Sequence, residues 1–192
     1  MRLIGGICTR KFSNDLHLIK SIKKVLVRGD VLGMYPEARY SACGVTSYIP
    51  DSLGKLIKKC GVPVVVVIHR GNHLHTPFWN FRKKRKVPFH TTLTQVLTKE
   101  QVESLSVDEI NKIIKDAFVY DDYKYQKDNN ILITEKYRAE GIHKILYKCP
   151  CCKTESKMNS KGTVLYCEEC GKKWNLNEDG TLSAFDGNTE FS

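Results

Sequence analysis

The chain has 192 residues, 41% of them apolar and 27% charged, with 31 Lys and Arg against 21 Asp and Glu. Such a length suits one medium domain with a small appendage, and such a composition excludes wholesale disorder and a fibrous repeat. The longest apolar run, Val62 to Ile68, is too short to span a bilayer.

Charge is segregated along the chain. Residues 1–90 hold 17 basic and 4 acidic side chains, whereas residues 91–192 hold 14 and 17. The front half is therefore expected to face something anionic: phosphate groups, a lipid surface or nucleic acid. Arg10 and Lys11 interrupt the first apolar stretch and no small-residue cleavage site follows, so no signal peptide is expected and the protein is placed in the cytoplasm.

In chain order, Leu3 to Thr9 reads as a buried strand. Ser13 or Asn14 can cap a helix whose apolar positions Leu16, Ile19, Ile22 and Leu26 recur every three or four residues, and Gly29 stops it. Val31 to Tyr35 reads as a second strand, followed by a loop from Pro36. A short helix over Leu53 to Lys59 ends at Gly61. The valine run Val62 to Ile68 then predicts a central parallel strand buried on both faces. Residues 71–88 look irregular, and Phe89 to Leu97 reads as one more strand. Thr98 with Gln101, and Ser106 with Glu109, have capping-box spacing, the second opening a helix with Ile110, Ile113, Ile114 and Ala117 on one face. The expected fold is α/β, a sheet flanked by helices over residues 1–120. A linker over 121–146, a small β-rich module over 147–185 and a tail over 186–192 complete the expected organisation.

Five of the eight cysteines fall between positions 149 and 170. Cys149 and Cys152, then fourteen residues, then Cys167 and Cys170 make two CxxC turns. Each turn points two thiolates at one centre, and together they complete a tetrahedral four-sulfur site. The module resembles a zinc ribbon. Structural Zn2+ is the expected cofactor, with iron in a rubredoxin-type site the alternative that spacing leaves open. Cys151 is left over, Gly171 relieves the second turn, and Trp174 and Leu176 are placed to cover the metal. Four cysteine ligands leave no open coordination position, which predicts a structural role.

Met34-Tyr-Pro-Glu-Ala-Arg-Tyr-Ser41 places an acid, an arginine and a hydroxyl on one loop, where they can hold a phosphate. This segment resembles the F-P-E-G-T-R-S block of the glycerolipid acyltransferases, the lysophosphatidate acyltransferase family. Gly5-Gly-Ile-Cys-Thr-Arg10-Lys11 is similar to that family's preceding block, and Gly61-Val-Pro-Val-Val-Val-Val67 to its following one. Pro36, Glu37 and Ser41 match directly; Ala38 stands in place of the Gly, Arg39 in place of the Thr, and Tyr40 in place of the Arg. The resemblance implies acyl transfer from an acyl-CoA or acyl-carrier protein donor to the hydroxyl of a lysophospholipid acceptor, 1-acylglycerol 3-phosphate. It implies that Arg10, Lys11, Glu37, Arg39 and Ser41 serve the acceptor's phosphate.

In that family an H-x-x-x-x-D block supplies the base, its His deprotonating the acceptor hydroxyl and its Asp holding the imidazole. Five positions after His17, His69, His73, His75, His90 and His143 stand Ile22, Leu74, Phe78, Asn80, Gln95 and Lys148. The block is absent, so no catalytic residue is assigned. The chain is expected to be an N-terminally shortened, inactive acyltransferase, with the three histidines after the valine run ordinary loop residues.

Between Thr76 and Phe89, aromatic residues surround five consecutive cations. Phe78, Trp79, Phe81, Arg82, Lys83, Lys84, Arg85 and Lys86 are expected to meet an anionic membrane surface, making the protein a peripheral one. A non-enzymatic nucleic-acid-binding zinc ribbon is the competing expectation, since such modules and basic runs also occur there. No RNA-binding aromatic motif or recognition-helix pattern supports it, which makes nucleic acid the less favoured partner.

Overall fold

A computed structural model describes residues 6–7 and 16–187. Most of the expected Leu3–Thr9 strand, the caps Ser13 and Asn14, and the basic pair Arg10 and Lys11 lie outside these residues. The elements in order are α1 (Leu16–Val27), α2 (Ser52–Cys60), β1 (Val64–Arg70), α3 (Asn72–His75), β2 (His90–Leu97), α4 (Lys99–Ser104), α5 (Val107–Ala117) and α6 (Asp122–Asp128). Four short strands complete the set: β3 (Met158–Lys161), β4 (Val164–Cys167), β5 (Lys173–Leu176) and β6 (Leu182–Ala184). The chain is thus a mixture of helices and two small antiparallel sheets, β1-β2 and β3-β4-β5-β6.

By contacts the chain forms two compact units. The first takes residues 1–38, 49–66 and 94–117, and the second residues 39–48, 67–93 and 118–192. Residues 121–146, expected as a linker, carry α6 and a 3-10 turn at Ile142–Lys144 inside the second unit.

In the first unit, α1 ends as its sequence predicts. Gly29 adopts φ 79 and its N–H bonds the Leu26 carbonyl. Both capping boxes form. The Thr98 side chain accepts from Gln101 N while Gln101 Oε1 accepts from Thr98 N, and Ser106 and Glu109 exchange the same pair of bonds. Lys58 of α2 donates to the Glu103 and Leu105 carbonyls, satisfying acceptors at the end of α4. Helices α2 and α5 approach closely because position 54 has no side chain. Gly54 N donates to Asn111 Oδ1 at 2.9 Å, and Asn111 Nδ2 donates to the Asp51 carbonyl at 3.0 Å.

A Cβ on Gly54 would lie 2.5 Å from Asn111 Oδ1. Gly54→Ala is therefore expected to cost about 1–3 kcal/mol, outweighing the roughly 0.5–1 kcal/mol that alanine contributes inside a helix. Urea denaturation checks this. The loss should shrink in an Asn111→Ala background, and a more stable Gly54→Ala protein would refute the close approach.

Two strand expectations are corrected. Val31–Tyr35 forms no strand with any of the described residues and is mostly exposed, Val31 at 94%. Its β-branched and aromatic residues favour a strand locally, but among the described residues no second strand pairs with it. The valine run forms β1 beginning at Val64, yet in a two-stranded antiparallel ribbon and not at the centre of a parallel sheet. Val66 is buried while Val65 and Val67 are 50% and 42% exposed. A ribbon covers one face only, so continuous valine here expresses β-propensity without two-sided burial.

The second unit is organised around the four-stranded sheet. β3 pairs with β4 (Met158 opposite Cys167), β4 with β5 (Leu165 opposite Trp174) and β5 with β6 (Leu176 opposite Leu182). Alternation along these strands places Met158, Leu165, Cys167, Trp174 and Leu176 in one buried cluster with Cys149. Trp79, Ala139 and Ile142 complete it from outside the ribbon.

Candidate functional site

The first CxxC turn precedes β3, and the second joins β4 to β5. They are built alike. Lys153 N donates to the Cys149 carbonyl and Gly171 N to the Cys167 carbonyl, both at 3.0 Å. The residue after each second cysteine takes a positive φ, 62 at Lys153 and 73 at Gly171. Glycine suits that conformation, and the first turn accepts it with lysine.

All four sulfurs lie within 4.8 Å of one another, with Cys149 and Cys170, and Cys152 and Cys167, each 3.7 Å apart. A tetrahedral shell with metal–sulfur bonds of about 2.3 Å has edges of about 3.8 Å, so two of the sulfur pairs have the spacing of such a shell. Burial pushes the Cys149 thiol up to about 12. The Thr154 hydroxyl, 3.4 Å from Cys152 Sγ, together with its backbone, draws that thiol down to about 6. A bound cation would hold all four as thiolates. The four cysteines form a possible metal site, and Cys151, exposed, stands apart from it.

Among the expected phosphate ligands, Arg10 and Lys11 are outside the described residues. Tyr35 to Ala38 is a turn closed by a 3.1 Å bond from Ala38 N to the Tyr35 carbonyl, with Ala38 at φ 52. Glu37 is half-buried and Arg39 exposed. The Ser41 hydroxyl donates to the Val45 carbonyl at 2.8 Å, so its proton is used within the loop.

The basic aromatic run divides. Phe78, Phe81, Arg82, Lys83, Lys84 and Lys86 are exposed, and Tyr40 stacks on Phe78 at 6.1 Å. Trp79 and Arg85, expected on the membrane-facing surface, are buried, each 5% exposed. Trp79 joins the ribbon core, and the Arg85 guanidinium lies over its ring at 5.8 Å. Lys83 pairs with Glu140. No described helix is long and apolar enough to cross a membrane.

A network that local sequence reasoning missed surrounds the histidines. The buried Asp122 carboxylate accepts from Gly71 N at 2.7 Å, from His73 N at 3.0 Å and from the Tyr120 hydroxyl. It holds the His73 backbone, not the ring. The His69 ring bonds Thr91, and the His75 ring bonds the Val87 carbonyl, so among the described residues these rings have no carboxylate partner of the kind a general base uses. Asp122 follows His73 by 49 positions, a separation no motif spacing reports.

The His73 ring packs edge-on to Trp79 and Tyr123, and its Nε2 has no hydrogen-bond partner. Burial lowers its pKa, with Asp122 opposing. A histidine whose folded pKa lies below its unfolded value of about 6.5 binds more protons unfolded. Its stabilising contribution is full above about 6.5 and is lost as pH falls below that value. His73→Phe is expected to flatten the decline in denaturation midpoint between pH 7.5 and 5.5 relative to the unaltered protein. Identical slopes would show that the ring does not titrate against folding.

Comparison of the chain with family models, curated proteins and solved structures finds no match.

Proposed function

We propose that the chain is an acyltransferase-type protein of glycerophospholipid synthesis, whose Tyr35–Ser41 loop receives the phosphate of a 1-acylglycerol 3-phosphate and whose ribbon is held by structural zinc. The observation that carries this reading is Ala38. It stands where the resembling block has glycine, and its backbone has φ 52, in the left-handed region that favours glycine. The loop thus bends at a conformation in which a glycine would be favoured. Arg39, exposed beside that bend, is the phosphate contact of choice, because a guanidinium meets a phosphate with two donors at once. Ser41 acts by closing the loop onto Val45. The donor is an acyl-CoA or acyl-carrier protein thioester. Phe78 and Phe81 with Arg82, Lys84 and Lys86 supply contact with an anionic leaflet, each cation contributing about 1 kcal/mol.

Calorimetry with a short-chain, water-soluble lysophosphatidate tests the reading. Binding should weaken about tenfold or more in Arg39→Ala, as expected for a charged hydrogen bond of about 1.5–3 kcal/mol. The uncharged monoacylglycerol should bind far less. Equal binding of the two lipids would sink the assignment. The chain carries no H-x-x-x-x-D block, so it should transfer no measurable acyl group, positioned proton transfer being worth about 10²- to 10⁴-fold. Tight binding of single-stranded RNA, with none of lysophosphatidate, would favour the nucleic-acid reading of the same exposed cations.

A further inference from the structure

We infer that the second unit contains a binding cavity for a single-chain amphiphile with an anionic head, its chain among the aliphatic side chains beside the ribbon and its head against Arg85 and Arg138. The inference goes beyond the acyl-transfer reading and stands on different residues.

The cavity holds about 300 Å3, the lower end of the range for small-molecule sites. Its wall is chiefly aliphatic, formed by Ile133, Ile142, Ile145, Leu146, Leu176 and Leu182. An apolar cavity alone would select nothing but greasiness. Two arginines, Arg85 at 5% and Arg138 at 9% exposure, are also among its lining residues.

Both cations lack a counter-ion. Among the described residues, neither has a carboxylate oxygen within 4.0 Å. Arg85 donates to the Arg138 carbonyl at 2.6 Å and the Leu74 carbonyl at 3.4 Å. Arg138 donates to the Leu176 carbonyl at 2.6 Å and the Glu135 carbonyl at 3.4 Å. Glu135, the acid whose field reaches Arg85, accepts from Lys86 N at its Oε1. Each guanidinium has five N–H donors, so donors remain after these bonds. Burial works against the charge on Arg85, as its lowered pKa records. Buried charges are normally paired, and an anionic ligand would supply the missing partner.

Two more lining residues have a polar atom unsatisfied. Trp79 Nε1–H is a buried donor without an acceptor, and Gln126 Oε1 a buried acceptor without a donor. Arginines short of an anion, a tryptophan and a row of aliphatic side chains line one cavity. That combination fits a carboxylate or phosphate carried on a medium-length alkyl chain.

Trp79 makes the site observable. It lines the cavity, whereas Trp174, the other tryptophan, lies within the ribbon core. Titration with 11-bromoundecanoate should quench emission saturably, and Trp79→Phe should remove the saturable component. Arg138→Gln should raise the midpoint about tenfold or more. Cys43, exposed and also lining the cavity, gives a second readout that needs no variant, since decanoate should slow its alkylation as followed by peptide mass spectrometry.

Decyl phosphate protecting Cys43 at lower concentration than decanoate assigns a phosphate head, and the reverse order a carboxylate; either supports the site. Equal quenching by 11-bromoundecanol overturns it, because the arginines would then select nothing. So does protection by inorganic phosphate as strong as by decyl phosphate, which would dispense with the chain. An unchanged midpoint in Arg138→Gln, or Cys43 alkylated equally fast with and without decanoate, overturns it as well.

Discussion

Replacing Cys149 and Cys152 together by serine is expected to abolish stoichiometric metal binding and to unfold the β3–β6 sheet with the core around it. The expected metal is one zinc per chain, and apparent binding energies of structural zinc modules run to roughly 10–16 kcal/mol. The cluster beside the sulfurs includes two of the four cysteines, Cys149 and Cys167, as core members, so its packing depends on how those side chains are held. Loss of the cation would leave close-packed thiols, one of them already pushed up by burial, with little to hold the turns together. Elemental analysis and circular dichroism check both halves. Full metal content in the double variant, or a native spectrum after chelation, would remove the metal from its structural role. Iron in place of zinc would leave the architecture intact and correct only the identity of the ion.

Asp122→Ala is the second large effect, an expected loss of about 3–5 kcal/mol. The substitution strips acceptors from Gly71 N, His73 N and the Tyr120 hydroxyl, and buried donors left without partners are costly. Asp122→Asn keeps an amide oxygen and should cost less, about 1–3 kcal/mol. Chemical denaturation ranks the two, with Asp128→Ala on the exposed Lys124 pair as a near-neutral comparison. If Asp122→Ala resembled Asp128→Ala, the buried carboxylate would not organise the segment. Against a typical total stability of about 5–15 kcal/mol, the expected loss is severe.

These two centres differ in how far they could be read from sequence, for a physical reason. The cysteine ligands come in local pairs whose spacing is fixed by the turn that presents them, so the pattern is visible in a line of text. The same holds for Thr98 with Gln101 and Ser106 with Glu109, where cap and partner lie one helical turn apart. Asp122 and His73 meet through tertiary folding alone. The valine run shows the limit from the other side. Its composition correctly indicated a strand, but which strands flank it depends on remote chain, and the resulting ribbon leaves valines exposed. Arg85 was indistinguishable from its four basic neighbours, since nothing local marks which member of a cationic run turns inward. Of the Tyr35–Ser41 segment, sequence reached the loop from Pro36 but neither the left-handed backbone at Ala38 nor the internal commitment of the Ser41 hydroxyl.

The place of Trp79 in the ribbon core has a consequence for synthesis. Trp79 leaves the ribosome 91 residues ahead of Cys170, the last ligand. At about 5–20 residues per second this is an interval of roughly 5–20 s. Throughout it the indole lacks the four-stranded sheet that covers it, and α6, which packs on α3 beside it, follows only about halfway through. The nascent chain therefore presents an apolar and cationic stretch to whatever chaperone or surface is nearby. The emergence of Cys170, not that of the first segment, is expected to set when the second unit closes.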